Sequence, residues 1–187
     1  MNPALRLIVG LTGTSGIIYG VRLLKELKSK EVETHVVVSR AAEKILQQEM
    51  NKDLGLIDSL ATHRYDVDNM FAPIASGSFL TDGMAVIPCS MKTLAGIACG
   101  YSENLLLRSA SVMLKEDRKL VLVPRETPLS PVDLENMLKL SRIGVTILPA
   151  MPAFYHRPRG IEDLVAYVVG KTLDIFRIEH DIYGRWK

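Results

Sequence analysis

Cysteine is nearly absent from this 187-residue chain, which carries only Cys89 and Cys99. They form neither a CxxC pair nor a metal-ligand spacing, so both read as buried thiols in a reducing compartment and no metal centre is expected. Charge of one sign is lacking too. Lysine and arginine number 23 against 21 for aspartate and glutamate, a net charge of +2, with no basic block to follow a phosphate backbone, which argues against a nucleic-acid partner. No apolar run reaches the length of a membrane span, and the first residues lack the basic, apolar, small-residue order of a signal peptide, so a cytoplasmic protein is expected. Two nucleotide signatures are also missing. Gly10, Gly13 and Gly16 do not make G-x-G-x-x-G, and Ser39 stands where a dinucleotide fold places an acidic residue for the ribose, which disfavours NAD. Arg40 keeps NADP open as a minor option, and the absence of a GK[ST] ending excludes a phosphate-loop hydrolase.

What the chain does have is a glycine turn, Gly10-Leu11-Thr12-Gly13-Thr14-Ser15-Gly16, between an apolar run at 5–9 and a helix-like segment at 17–27. A buried strand, a turn and a helix N-terminus in that order gather free N–H groups and a positive dipole end, so an anion is expected there. The rest alternates in the same way. Strands are expected at 5–11, 34–38, 84–88, 120–124 and 145–148, and helices at 17–28, 41–50, 55–61, 92–98, 104–115, 131–141 and 161–175, with an irregular excursion before residue 76. At 48% hydrophobic content the length supports one domain, residues 1–187, with a tail at 177–187 that closes the site or packs on a neighbouring subunit. The pattern is that of a three-layer, Rossmann-like (flavodoxin-like) parallel sheet with helices on both faces, and such folds bind ligands beyond the carboxyl ends of their strands.

Each expected strand ends in small or polar groups: Gly13 to Ser15, Ser39-Arg40, Ser90-Met91-Lys92-Thr93, Arg125-Glu126 and Tyr155-His156-Arg157. Any one serine reads as a helix cap. Together on one rim they suit a mononucleotide with a single phosphate and a planar ring, such as FMN.

Longer motifs then carry a resemblance. Gly13-Thr14-Ser15-Gly16, Ser76-Gly77-Ser78-Phe79, Pro88-Cys89-Ser90-Met91-Lys92-Thr93-Leu94, Pro124-Arg125-Glu126-Thr127-Pro128-Leu129 and Pro152-Ala153-Phe154-Tyr155-His156-Arg157-Pro158 resemble the UbiX flavin prenyltransferases, including the relatives known as phenolic-acid or phenylacrylic-acid decarboxylases. The resemblance implies metal-independent transfer of a dimethylallyl group from dimethylallyl phosphate to N5 and C6 of reduced FMN. The product, prenyl-FMN, is the cofactor of UbiD-type aromatic-acid decarboxylases. It implies flavin contacts from Gly13, Thr14, Ser15, Ser39, Ser90, Met91, Lys92, Thr93 and Arg125. It implies prenyl phosphate contacts from Arg108, Lys115, Tyr155 and Lys171, some reaching in from a neighbouring subunit of a homo-oligomer, commonly a dodecamer. Apolar residues at 112–114 and 137–140 are expected to serve such subunit contacts. Ser15 and Glu49 match a proton-handling pair, Glu126 a carboxylate near the leaving phosphate, and Trp186 an aromatic that encloses the site. Lys171 stands where the family commonly has arginine, which removes the planar fork for phosphate. Two other classes stay open at this point: an FMN-binding accessory protein, and a flavin-dependent decarboxylase acting on its own. The cysteine-decarboxylase type shares the fold, but its Pro-x-Met-Asn stretch is not found here.

Overall fold

The computed structural model describes residues 5–186. Its frame is a six-stranded sheet built from β1 (Arg6–Leu11), β2 (Glu33–Val38), β3 (His63–Tyr65), β4 (Gly83–Cys89), β5 (Lys119–Pro124) and β6 (Thr146–Ile147). The strands run in the order β3-β2-β1-β4-β5-β6, and every pairing is parallel. Parallel neighbours need long crossovers, and helices supply them: α1 (Ile17–Ser29), α2 (Arg40–Met50), α3 (Leu54–Leu60), α4 (Met91–Ala98), α5 (Leu105–Lys115), α6 (Pro131–Arg142) and α7 (Ile161–Ile175).

The strands are nearly continuous apolar runs because both faces of the sheet are covered. Alternation then divides the core. Leu7, Val9 and Leu11 of β1 join Val36, Val38, Ile87 and Val121 under α1, α2 and α7, whereas Ile8 joins Val37, Met84, Val86 and Leu122 under α4 and α5. The expected three-layer parallel architecture is therefore the observed one.

Three local expectations are corrected. The sequence pattern predicts five strands; β3 is a sixth, a three-residue edge strand inside the expected irregular excursion, with His63 and Arg64 exposed and only backbone pairing to declare it. Without it the order reduces to the flavodoxin one, and with it the order coincides with that of dinucleotide folds. Cys99 is exposed, unlike buried Cys89, because it caps the end of α4 rather than packing beneath it. Val112 and Met113, which an apolar assembly surface on α5 would need outside, are each 1% exposed.

Helix α1 approaches the sheet at backbone distance. A Cβ on Gly20 would lie 2.4 Å from the Ile87 carbonyl oxygen and 2.3 Å from Leu11 Cδ2. The carbonyl belongs to the sheet and has little freedom to move. Gly20→Ala should therefore cost about 3 kcal/mol of overpacking, offset by about 1 kcal/mol of helix propensity. A thermal melt should show the midpoint falling by about 4–8 °C; an unchanged midpoint would mean that α1 floats on the sheet.

Candidate functional site

The strand order reverses between β1 and β4, and the turns that follow these strands are tied together. The Thr12 hydroxyl donates to the Pro88 carbonyl at 2.7 Å and accepts from the Ser90 N–H at 2.7 Å. The Thr14 hydroxyl donates to the Arg125 carbonyl at 3.0 Å, and Arg125 Nη2 returns a bond to that hydroxyl at 3.3 Å. Two threonines thus fix the relative positions of the turns after β1, β4 and β5. In the sequence Thr12 is no more than a spacer between glycines.

Beside these turns lies a cavity of about 640 Å³, lined by Gly13, Ser39, Ser90, Lys92 and Thr93 from the expected flavin set. Its volume lies in the range of small-molecule sites. Ser39 caps α2 by accepting from the Ala42 N–H at 3.1 Å, and Ser90 caps α4 by accepting from the Thr93 N–H at 3.3 Å. Both helices start at the cavity wall with their positive ends towards it. Asp68, Tyr101, Glu103 and Asn104 complete the lining, and none of the four was singled out by the sequence pattern. Arg40 also lines the cavity and is bound to Asp68 in an exposed ion pair, so its charge is already partnered there.

The glycine turn itself behaves differently from the expectation. Gly16 sits in the left-handed region at φ 99° as the N-cap of α1 and has no side chain to cap it. The anion at this helix N-terminus is the protein's own: Glu49, from the last turn of α2, accepts from the Gly16 and Ile17 N–H groups at 2.9 and 3.2 Å. The helix end that the sequence marked for a ligand is taken by a carboxylate. The helix ends that open on the cavity are those of α2 and α4, each capped by its own serine. Ser15, next to Gly16, is exposed on the same turn.

The cavity suits a flavin mononucleotide in its volume and in the donors that line it, the Ser39, Ser90 and Thr93 hydroxyls and Lys92, with two helix N-termini opening on it. Beside it Arg125 Nε is buried with no hydrogen-bond partner next to the threonine turn, and Gly13 faces Ala41 so closely that a Cβ there would lie 2.2 Å from the Ala41 Cβ.

The remaining candidates fall in two other places. Tyr155 belongs to an aromatic cluster, 5.3 Å from Trp186 and 6.0 Å from Tyr167 between ring centroids, with His156 stacked on Tyr167 at 5.5 Å. Lys171, on α7, stands 3.9 Å from Asp174. Arg108 donates from Nε to the Ala75 carbonyl at 2.9 Å, and Lys115 is exposed and paired with Glu116 beside Gly77. Helix α5 runs against the strand direction, so Leu107 lines the cavity while Lys115, eight residues on, is carried about 12 Å along the axis towards the strand-entry side. Glu126 is exposed and accepts from the Thr127 N–H at 3.1 Å. Within one chain Gly13, Ser39, Ser90, Lys92 and Thr93 line one cavity, Thr14 and Arg125 are bonded beside it, and Glu49 holds the adjoining turn; Lys115 does not join them.

A second titratable group lies near the strand-entry side of β2. Glu33, His35 and His63 have ligand atoms within 4.8 Å of one another, but both His35 nitrogens are engaged, by Tyr65 at 2.9 Å and Glu33 at 2.8 Å, and Arg6 neutralises Glu33 at 2.9 Å. It reads as a structural network.

Comparison with known proteins agrees with this geometry. Residues 1–173 match the family model described as Flavoprotein. The chain is similar, at 51% identity over 95% of its length and 94% of the relative's, to the flavin prenyltransferase UbiX of Alkalihalophilus pseudofirmus. Among solved structures it resembles AnUbiX (PadA1) in complex with FMN and dimethylallyl pyrophosphate, with a TM-score of 0.97, 44% identity and coverage of 99% and 98% of the two chains. It resembles equally the dodecameric FMN-dependent UbiX-like decarboxylase of Escherichia coli O157:H7, with a TM-score of 0.96, 50% identity and coverage of 98% and 100%.

Proposed function

Because this chain belongs to the UbiX flavin prenyltransferases, we propose that the cavity beyond β1, β2 and β4 takes the flavin and that prenyl phosphate lies towards Tyr155 and Lys171. The protein transfers a dimethylallyl group from dimethylallyl phosphate to reduced FMN, with bonds formed at N5 and C6 and phosphate released, and the prenyl-FMN serves a UbiD-type decarboxylase. The observation that carries the placement is the cavity of about 640 Å³ into which the serine-capped N-termini of α2 and α4 open.

The roles of the residues follow from their chemistry. Ser39, Ser90 and Thr93 present hydroxyls and N–H groups where a single phosphate and a ring edge are held. Met91 and Lys92 continue the first turn of α4. Gly13, Thr14 and Ser15 form the floor beneath Arg125. Ser15, on the turn before α1, and Glu49, which reaches that turn from the end of α2, move protons at the flavin. Glu49 does so while accepting from the Gly16 and Ile17 N–H groups. A departing phosphate needs cations in place before charge develops on it; Arg108, Lys115 and Lys171 supply them, and Glu126 manages the proton on the released group. Tyr155 and Trp186 exclude water and offer π faces to the allylic group.

Lys115 acts on the site of a neighbouring subunit, since α5 carries it away from its own cavity. The chain assembles as a homo-oligomer of the dodecameric kind seen in its E. coli relative, and the apolar contacts come from Val132, Leu134 and Leu138, each more than half exposed on α6. Residues 1–187 form one flavin-binding domain. Among the described residues no helix is long and apolar enough to cross a membrane, and two unpaired thiols support a reducing, cytoplasmic setting.

The test is a mass spectrum of flavin extracted after anaerobic incubation of the protein with reduced FMN and dimethylallyl phosphate. The flavin should gain one C5H8 unit. Unchanged FMN, alongside an active relative as control, would leave a flavin-binding partner in place of a transferase.

A further inference from the structure

Beyond α7 the chain turns back on itself, and one carboxylate gathers the returning segment. Asp174 Oδ2 accepts from the Tyr183 hydroxyl at 2.8 Å, while Oδ1 accepts from Arg185 Nη2 at 2.7 Å and faces His180 Nε2 at 3.1 Å. The His180 side chain is fully buried. Three residues spread over the tail therefore converge on one side chain of the preceding helix. Burial works against the charge on Asp174, but the bonds from Arg185 and Tyr183 prevail and hold it below the usual carboxylate range. Tyr183 is correspondingly pushed up to about 12 by burial and by that carboxylate.

The next contacts run in register towards the proposed prenyl phosphate subsite. Tyr183 lies over Gly170, where a Cβ would come within 2.4 Å of its ring, and meets Tyr167 at 5.1 Å. Gly184 passes the Cβ of His156, and Trp186 closes on Tyr155 at 5.3 Å. Trp186 is itself 78% exposed, so its own burial does not fix its position. The anchor lies upstream.

We propose that Asp174 is a positioning residue for prenyl transfer: by holding His180, Tyr183 and Arg185 it sets the tail so that Trp186 stands against Tyr155 and completes the wall of the prenyl phosphate subsite. This rests on the placement of Tyr155, Lys171 and Trp186 proposed above. Asp174 touches no reacting group; it acts through the tail. Asp174 is not among the residues that line the flavin cavity, so flavin binding is expected to be independent of it.

Trp186 is the sole tryptophan of the chain, so its fluorescence reports the tail directly. In the full-length protein saturated with FMN, Asp174→Asn should lower the slowly decaying part of the Trp186 anisotropy by about half, because the indole gains fast local motion. The KM for dimethylallyl phosphate should rise about tenfold with kcat changed less than about twofold and FMN affinity unaltered. The same substitution also relieves Lys171 of a nearby negative charge. At 3.9 Å and half-exposed, that contact is worth a few-fold at most, in the opposite direction.

Gly170→Ala gives the same displacement by another route. The added methyl meets the Tyr183 ring and His180 Cε1 at 2.9 Å or less, both on the tail, while α7 gains helix propensity. It should reproduce the anisotropy loss and the KM rise without lowering the melting temperature, which separates release of the tail from unfolding. If both variants keep the slow anisotropy, Asp174 does not anchor the tail; if they lose it and KM stays at the parent value, the tail does not build the subsite. Should the parent itself make no prenyl-FMN, the transferase reading falls, and the anisotropy still decides the anchor.

Discussion

Chains carrying Lys115→Met and chains carrying Glu49→Gln, each inactive alone, should regain prenyl transfer when co-assembled, at up to about a quarter of their sites. The fraction follows from random mixing. A working site needs an intact Glu49 from the chain that binds flavin and an intact Lys115 from its neighbour. Each single variant should lose on the order of a thousandfold in kcat/KM, since a cation facing a developing phosphate charge in a water-poor site acts mostly in the transition state. The expectation of sharing between chains comes from α5. Leu107 lines the flavin cavity, whereas Lys115 stands by Gly77 in contact with Glu116, and no rotamer spans the intervening helix length of about 12 Å. Glu49→Gln is a mild change structurally, because one amide oxygen can still accept from Gly16 or Ile17, at a cost of about 1 kcal/mol. Differently tagged chains, co-expressed and purified through both tags, would be assayed by the mass of extracted flavin. Mixed oligomers as inactive as their parents would place the whole site within one chain.

A single methyl group at Gly13 should do comparable damage by a different route. Gly13→Ala puts a Cβ 2.2 Å from the Ala41 Cβ and 3.1 Å from its carbonyl carbon, and neither belongs to a flexible side chain. The first turn of α2 has to move away. Ser39 and Ala41 line the cavity from that turn, so the displacement is felt where the phosphate-binding N–H groups are aimed. Flavin affinity should fall about a hundredfold, read by titration of flavin fluorescence. The cause is checked by its remedy. Adding Ala41→Gly removes the clash for about 1 kcal/mol of helix propensity and should restore most of the affinity. A double variant as weak as Gly13→Ala would mean that position 13 is needed bare by the flavin itself.

Most of the frame was legible in the sequence, and the reasons are local. Helices α1 and α7 carry long apolar periodicities, and β1, β2, β4 and β5 are apolar runs buried on both faces, so pattern and environment agree. Strand β3 was not legible, because His63-Arg64-Tyr65 declares itself only through backbone pairing with β2. The candidate site was legible in composition and less so in wiring. Ser39, Ser90 and Thr93 line the cavity as read, since they follow strands and open helices. Glu49 looked like a helix-face carboxylate, and its bond to the start of α1 depends on how two helices lie across each other, which spacing alone does not encode. Asp174 offered no signal at all, as its partners come from a tail that returns on α7 only after the fold is made.

The sheet is bounded at both sides by its shortest strands, three residues in β3 and two in β6. An edge that short gives an incoming strand few backbone groups to pair with, and the exposed His63 and Arg64 blunt one of them further. Growth by strand addition, which has no natural end, is thereby closed off. Association is left to the helical surfaces, where a contact whose rotation closes lets a fixed number of copies meet and stop.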